Sequence, residues 1–202
     1  MTAPVNIIAV DRYWFLTWTT YGTWLPGDER GFVGEVLNES GEFFNFNELN
    51  TPPAPPNSNL RDAAERVMKS PPLFLDHSQA TALFEQFHET SNVSGWLLIA
   101  VAIMRSHIHV LAGVPGDPDP EKLLKAYKSY GSRKLNQGWS KPASDTWWTA
   151  RGSKRKLPDE KAVTAAINYI RHQKNPLLIW TREDGLLAEV KPDPDNQPPG
   201  KN

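Results

Sequence analysis

Two histidines one residue apart in an apolar run, and two tyrosines in one basic helix, are the groups here whose chemistry could go beyond packing. His107-Ile108-His109 opens the run HIHVLAGV. A strand sends alternate side chains to opposite faces, so both imidazoles would emerge on one side and Ile108 on the other. Two neutral imidazoles converging on one point suit a divalent cation. The competing reading is structural, with one histidine hydrogen-bonded in the core and the other partly exposed. The chain has no cysteine. That excludes disulfides and thiolate sites, so any metal must use imidazole, carboxylate or amide ligands.

The tyrosines are Tyr127 and Tyr130, in a segment that reads as a helix over residues 119–137. A helix advances about 100° per residue, so the two cannot share a role. Leu124, Tyr127, Gly131 and Leu135 form one stripe, the expected buried face, whereas Tyr130 falls with Leu123, Ala126, Lys134 and Gln137 along another edge. Tyr127 reads as core and Tyr130 as accessible. Beside Lys128, Arg133 and Lys134, an accessible phenol has surroundings that favour phenolate and attract phosphate, as attack on a phosphodiester requires. Surface packing is the alternative reading of such a tyrosine.

The supporting elements follow from the same pattern. Residues 12–21 (RYWFLTWTTY) are aromatic, β-branched and partly alternating, which predicts a strand ended by Gly22, Pro26 and Gly27. Residues 27–59 are polar and close on a proline-rich stretch, which predicts a long loop insertion. Residues 60–69 predict a short helix and 76–90 a longer one, capped by Asp76 or Ser78. Residues 96–104 (WLLIAVAIM) predict a strand buried on both faces, turning at Arg105-Ser106 into 107–114, so the histidines begin the second arm of a hairpin. A second late helix is predicted over 159–173, with room for an edge strand before it. This order matches a ferredoxin-like α+β sandwich, an antiparallel sheet with helices packed on one face. One domain over residues 1–180 and a partly disordered tail over 181–202 are expected.

At 202 residues and 39% hydrophobic content the chain can bury one core. Residues 1–10 lack a basic start and sustained apolar stretch, and no apolar run approaches the roughly 20 residues that span a bilayer. A soluble cytoplasmic protein without a membrane partner is the expectation. The net charge of -1 argues against nucleic acid if taken whole, but residues 121–175 hold 13 Lys and Arg against 4 Asp and Glu, a local excess of +9. The candidate chemistry lies in or beside that segment.

Arg105-Ser-His-Ile-His-Val-Leu111 resembles the histidine-hydrophobe-histidine signature of HUH single-strand DNA transposases, and Lys128-Ser-Tyr-Gly-Ser-Arg-Lys-Leu-Asn136 resembles their nucleophile helix. With the opening strand and the closing Tyr169-Ile-Arg-His-Gln-Lys-Asn-Pro176, the chain is most similar to REP-associated tyrosine transposases, over about half its length and in the family's order. Those relatives often carry Pro-Asn before the first histidine, where this chain has Arg105-Ser106, a change in the turn that leaves the ligands intact.

The resemblance implies an HUH nuclease fold and a metal-dependent single-stranded DNA endonuclease and strand transferase. His107 and His109 would hold Mg²⁺ or Mn²⁺, and Tyr130 would attack the scissile phosphate to give a 5′-phosphotyrosine and a free 3′-hydroxyl. Insertion-sequence relatives take a third ligand four residues after the tyrosine. Counted from Tyr130 this is Lys134, which cannot ligate while protonated, so the amide oxygen of Gln137, or water, is expected instead. DNA contacts are expected from Lys128, Arg133, Lys134, Arg151, Lys154, Arg155 and Lys156, with Trp148 or its neighbour Trp147 stacking on an unpaired base. The implied substrate is single-stranded DNA bearing a hairpin-forming repeat, bound by a monomer or, as in insertion-sequence relatives, a dimer. A non-catalytic single-stranded RNA- or DNA-binding module on the same sheet is the alternative, and it needs neither metal nor adduct. A small-phosphoester hydrolase fits less well, because the histidine pair has no nearby carboxylates in sequence.

Overall fold

A computed structural model of the chain describes residues 10–29, 35–37, 43–45 and 55–189. β1 (Arg12–Thr19) buries Trp14, Leu16 and Trp18 on one face and turns Tyr13, Phe15 and Thr17 to the other, the alternation expected of a central strand. Within the insertion, β2 (Glu35–Leu37) and β3 (Phe43–Asn45) pair as a separate antiparallel ribbon. α1 (Ser58–Arg66) starts where the Asn57 side chain accepts from the Leu60 amide. α2 (His77–Ser94) opens on a reciprocal capping box between Asp76 and Gln79 and stops at Gly95, whose φ of 68° is left-handed.

β4 (Leu97–Ile103) and β5 (His107–Val114) form the expected hairpin across Arg105-Ser106. α3 (Pro120–Gly138) has proline in its first turn behind the Asp119 cap. Then follow β6 (Ser153–Leu157), α4 (Glu160–Arg171) capped by Asp159, β7 (Leu178–Thr181) and β8 (Gly185–Glu189).

The six main strands run β6-β1-β5-β4-β7-β8, every neighbouring pair antiparallel. The first four, in that order, are a ferredoxin-like core, and the α+β class is as the sequence predicts. α2 and α3, the crossovers of that core, share one face and bury Trp18, Leu83, Phe87, Ile108, Val110, Leu124 and Tyr127 between them and the sheet. α4 lies over the opposite face on Ala100, Ala102, Leu111 and Ile179, through Ala166 and Ile170. The expectation of helices on one face therefore describes the core crossovers, and α4 adds a third layer over part of the other side.

The expected boundary at residue 180 moves outward. Leu178, Ile179 and Thr181 are buried, and β8 pairs with β7, so the structured unit runs through Glu189. Of the tail expected over 181–202, residues 190–202 lie outside the described residues, as does most of the insertion. No helix among the described residues is long and apolar enough to cross a membrane.

Tyr127 is fully buried, and its hydroxyl lies 2.7 Å from Ser91 Oγ, which itself donates to the Phe87 carbonyl at 2.8 Å. Tyr127→Phe removes one neutral hydrogen bond and leaves Ser91 with its acceptor. The expected cost is about 1 kcal/mol in urea unfolding.

Candidate active site

β5 places the two imidazoles by its pleat. Ile108 and Val110 are buried beneath α2 and α3, so His107 and His109 emerge on the face that carries α4. His109 is only 4% exposed. Thr17 stands opposite it in register, with its hydroxyl 2.7 Å from His109 Nδ1. Phe15, also on β1, stacks on its ring at 5.4 Å and an interplanar angle of 12°. His107 is half-buried, its Nδ1 lies 3.1 Å from Ser106 Oγ, and its ring centroid is 5.0 Å from that of His109.

His109 Nε2 is buried and has no protein hydrogen-bond partner. With Nδ1–H donating to Thr17, Nε2 carries the ring's lone pair, the arrangement by which a neighbour fixes the tautomer of a ligating histidine. Burial first, and then the charge of His107, lower the pKa of His109 from 6.5 to about 3. The imidazole is therefore neutral at physiological pH.

This has a consequence for stability. Between pH 6.5 and about 3 the folded protein holds fewer protons on His109 than the unfolded chain does, so acid favours unfolding. In EDTA, lowering the pH from 6.5 to 5 is expected to remove at most about 2 kcal/mol through this residue. Chemical unfolding of the wild type and of His109→Gln at both values measures it, and the variant should lack that part of the loss.

A tyrosine does meet the histidines, and it is Tyr169. It stands on α4 with its ring 5.2 Å from that of His109, edge-on at 82°, and 5.9 Å from Phe15. It is 53% exposed, so the phenol is open to a substrate. Tyr169, His107, His109 and Thr17 line one cleft of about 1420 Å³, whose further walls include Trp24, Met68, Lys128 and Arg151.

The residues expected from sequence are thus divided. Tyr130 is 43% exposed, as its helical stripe requires, but it rides on α3, which packs on the other face of the sheet. Lys125, Lys128, Ser129 and Ser132 bring one edge of α3 to the cleft, whereas Tyr130 is not in its lining and carries Arg133 over its own ring at 5.1 Å. Gln137 is exposed near the C-terminal end of the same helix and does not line the cleft either. Tyr130 and Gln137 are therefore not assembled with the histidines.

Several expected DNA contacts are already engaged. Lys134 pairs with Glu85 at 3.2 Å, Lys154 with Glu121 at 2.5 Å and Lys156 with Asp117 at 2.8 Å. Lys154 and Lys156 stand opposite Leu16 and Trp14 in register, and so lie on the face away from the histidines. Arg155, opposite Phe15, lies on the histidine face and is exposed. Trp147 and Trp148 are both buried, their indole N–H groups donating to Asn136 Oδ1 at 2.8 Å and the Lys128 carbonyl at 2.9 Å. Neither is an open stacking platform, because each is used as core.

The donor set fits a divalent cation in part. Two neutral-capable imidazoles and an orphaned Nε2 suit it, yet no group of three His, Cys, Asp or Glu could hold a metal among the described residues. Any further ligand must be an amide, a phenol, water or the substrate itself.

The family described as "Transposase IS200 like" matches residues 68–173, a span that holds both histidines, Tyr130 and Tyr169. The chain belongs to the IS200-like transposase family. Among solved structures it is similar to a REP-associated tyrosine transposase bound to a REP hairpin, at 12% identity and a TM-score of 0.45, over 85% of this chain and 71% of that one. It is also similar to a Deinococcus radiodurans R1 protein assigned as a transposase, at 15% identity and a TM-score of 0.38, over 87% of this chain and 99% of that one. Both similarities are distant. No curated protein matches the sequence.

Proposed function

We propose that this transposase cleaves and rejoins single-stranded DNA with Tyr169 as its nucleophile, in a cleft where His107 and His109 hold a divalent cation. The observation that carries the proposal is the 5.2 Å edge-on approach of the Tyr169 ring to His109, whose buried Nε2 has no protein partner. The insertion-sequence pattern of a ligand four residues past the tyrosine now falls on Gln173. Gln173 lies outside the cleft lining, with its amide nitrogen donating to the Tyr169 carbonyl at 3.1 Å, so its side chain would have to turn to bring its amide oxygen to a cation.

Mg²⁺ or Mn²⁺ bound there would offset charge on the phosphoryl oxygens. Tyr169 loses its proton to solvent and its oxygen bonds to phosphorus, while the bond from phosphorus to the 3′ oxygen breaks and that oxygen takes up a proton. A 5′-phosphotyrosine and a free 3′-hydroxyl result, and the reverse attack by a 3′-hydroxyl reseals the strand without ATP. Thr17 orients His109, and Phe15 braces both rings. Arg151, in the cleft lining, and Arg155, on the histidine face of β6, are cations that can receive phosphates on this side.

The favoured substrate is a strand carrying a hairpin-forming repeat, on the strength of the REP-associated motif pattern, in keeping with a cytoplasmic DNA-processing enzyme. A monomer is favoured on the strength of the same motif pattern. The test is incubation with a labelled hairpin-bearing single strand, with and without Mn²⁺, followed by mass spectrometry of the tryptic peptides. A nucleotide adduct on Tyr169 that needs the cation supports the reading. An adduct on Tyr130, or binding with no adduct under any condition, overturns it.

A further inference from the structure

Lys128 was expected to touch DNA, yet its ammonium is already engaged. It is half-buried on α3, and its Nζ lies 2.6 Å from the Thr149 carbonyl, 3.1 Å from that of Ala150 and 3.2 Å from that of Arg151. An ammonium has three donors, and here three consecutive carbonyls accept them. Carbonyl dipoles turned toward one point repel each other, so this backbone shape depends on the cation at its focus.

The clamped segment lies against the strand that supports the site. Thr149 donates its amide to the Thr19 carbonyl at 3.1 Å, and the two threonine hydroxyls lie 3.0 Å apart. A Cβ on Gly152 would come within 2.7 Å of the Thr17 carbonyl, so only glycine allows so close an approach. Thr17 is the residue that bonds His109, and Thr19 stands opposite His107 in register. Arg151, inside the clamp, lines the same cleft as both histidines and Tyr169.

We propose that Lys128 is a positioning residue, which fixes the loop of residues 149–152 against β1 so that Arg151 is presented to a phosphate of the bound strand. The inference rests on the reading of the cleft as a DNA site. Lys128 then acts through Arg151 and makes no phosphate contact of its own. Its burial lowers its pKa to about 8, an ammonium at neutral pH whose charge is spent on the protein backbone.

A double-mutant cycle on binding of a labelled single-stranded oligonucleotide tests this, with Lys128→Met, Arg151→Ala and the combination. Each single change is expected to weaken binding about tenfold, and the pair also about tenfold, because removing the clamp leaves nothing for the second change to remove. The slope of log affinity against log salt should fall by about one for each variant and by about one for the pair.

Hydrogen exchange in residues 149–153 should quicken in Lys128→Met while exchange in α2 and β4 stays as in the wild type. If Lys128→Met does not fold, Lys128→Gln takes its place; it keeps two donors without charge and should retain more affinity than Arg151→Ala. A hundredfold loss in the pair, or a salt slope reduced by two, would make Lys128 an independent phosphate contact and overturn the proposal. Unaltered binding in Lys128→Met overturns it as well. A wild type that binds no DNA fails at an earlier step and removes the cleft reading itself.

Discussion

Tyr169→Phe should abolish the covalent protein–DNA adduct, with strand cleavage falling by about 10³-fold or more, as expected when a nucleophile is removed. Binding of the oligonucleotide should stay within about twofold, since the change removes one hydroxyl and no charge. The phenol is 53% exposed and its hydroxyl is not part of the packing, so the ring should keep its contacts with Phe15 and His109 and the fold should survive. Tyr130→Phe is the matched control. It lies on the other side of the sheet and should form adduct at the wild-type rate. Denaturing electrophoresis of a labelled strand reads both. If the two variants exchange behaviour, α4 does not carry the chemistry and the assignment of this face fails.

His109→Ala should lower cation-dependent cleavage by at least about 10²-fold and reduce Mn²⁺ affinity, read by calorimetry, by a similar factor. The buried imidazole is held by Thr17 and Phe15 with one nitrogen free of protein partners, so its loss leaves His107 as the only imidazole at the site. Thr17→Val tests the support: it keeps the ligand and loses its orienting partner, for an expected loss of about 10- to 100-fold. Cleavage that persists in EDTA at the wild-type rate would sink the metal-dependent reading, whatever the fate of Tyr169.

The sequence made the histidine strand legible to the residue. The apolar run, the period of two and the turn at Arg105-Ser106 are local signals, and β5 spans His107–Val114 as they predict. The tyrosine was harder, because helical periodicity reports which face of its own helix a residue occupies and is silent on which side of the sheet that helix packs. Tyr130 is accessible, as its stripe implies, yet α3 is a crossover of the ferredoxin-like core and shares its side with α2.

The chain does distinguish the two helices: four residues past Tyr130 stands a lysine, and four past Tyr169 a glutamine, a residue type that can ligate. The basic segment misled in a similar way. The partners that engage it, Glu85, Asp117, Glu121 and the carbonyls of residues 149–151, come from other elements or from backbone. Charge counted along the chain registers Glu121 only as a number and cannot show which cation each acid or carbonyl holds. The third layer was missed because Ala162, Val163, Ala166, Ile167 and Ile170 announce a buried stripe without naming the surface that buries it.

The pleat of β5 also bears on how such a protein can change over time. Both imidazoles leave adjacent same-side positions of an interior strand, flanked by β1 and β4, so their separation is a property of extended backbone and owes little to any loop. Insertions at the sheet's periphery, or rewriting of the basic surface, leave the spacing of the two imidazoles constant. The histidine pair is therefore insulated from change at the periphery, because it is anchored at the centre of the sheet.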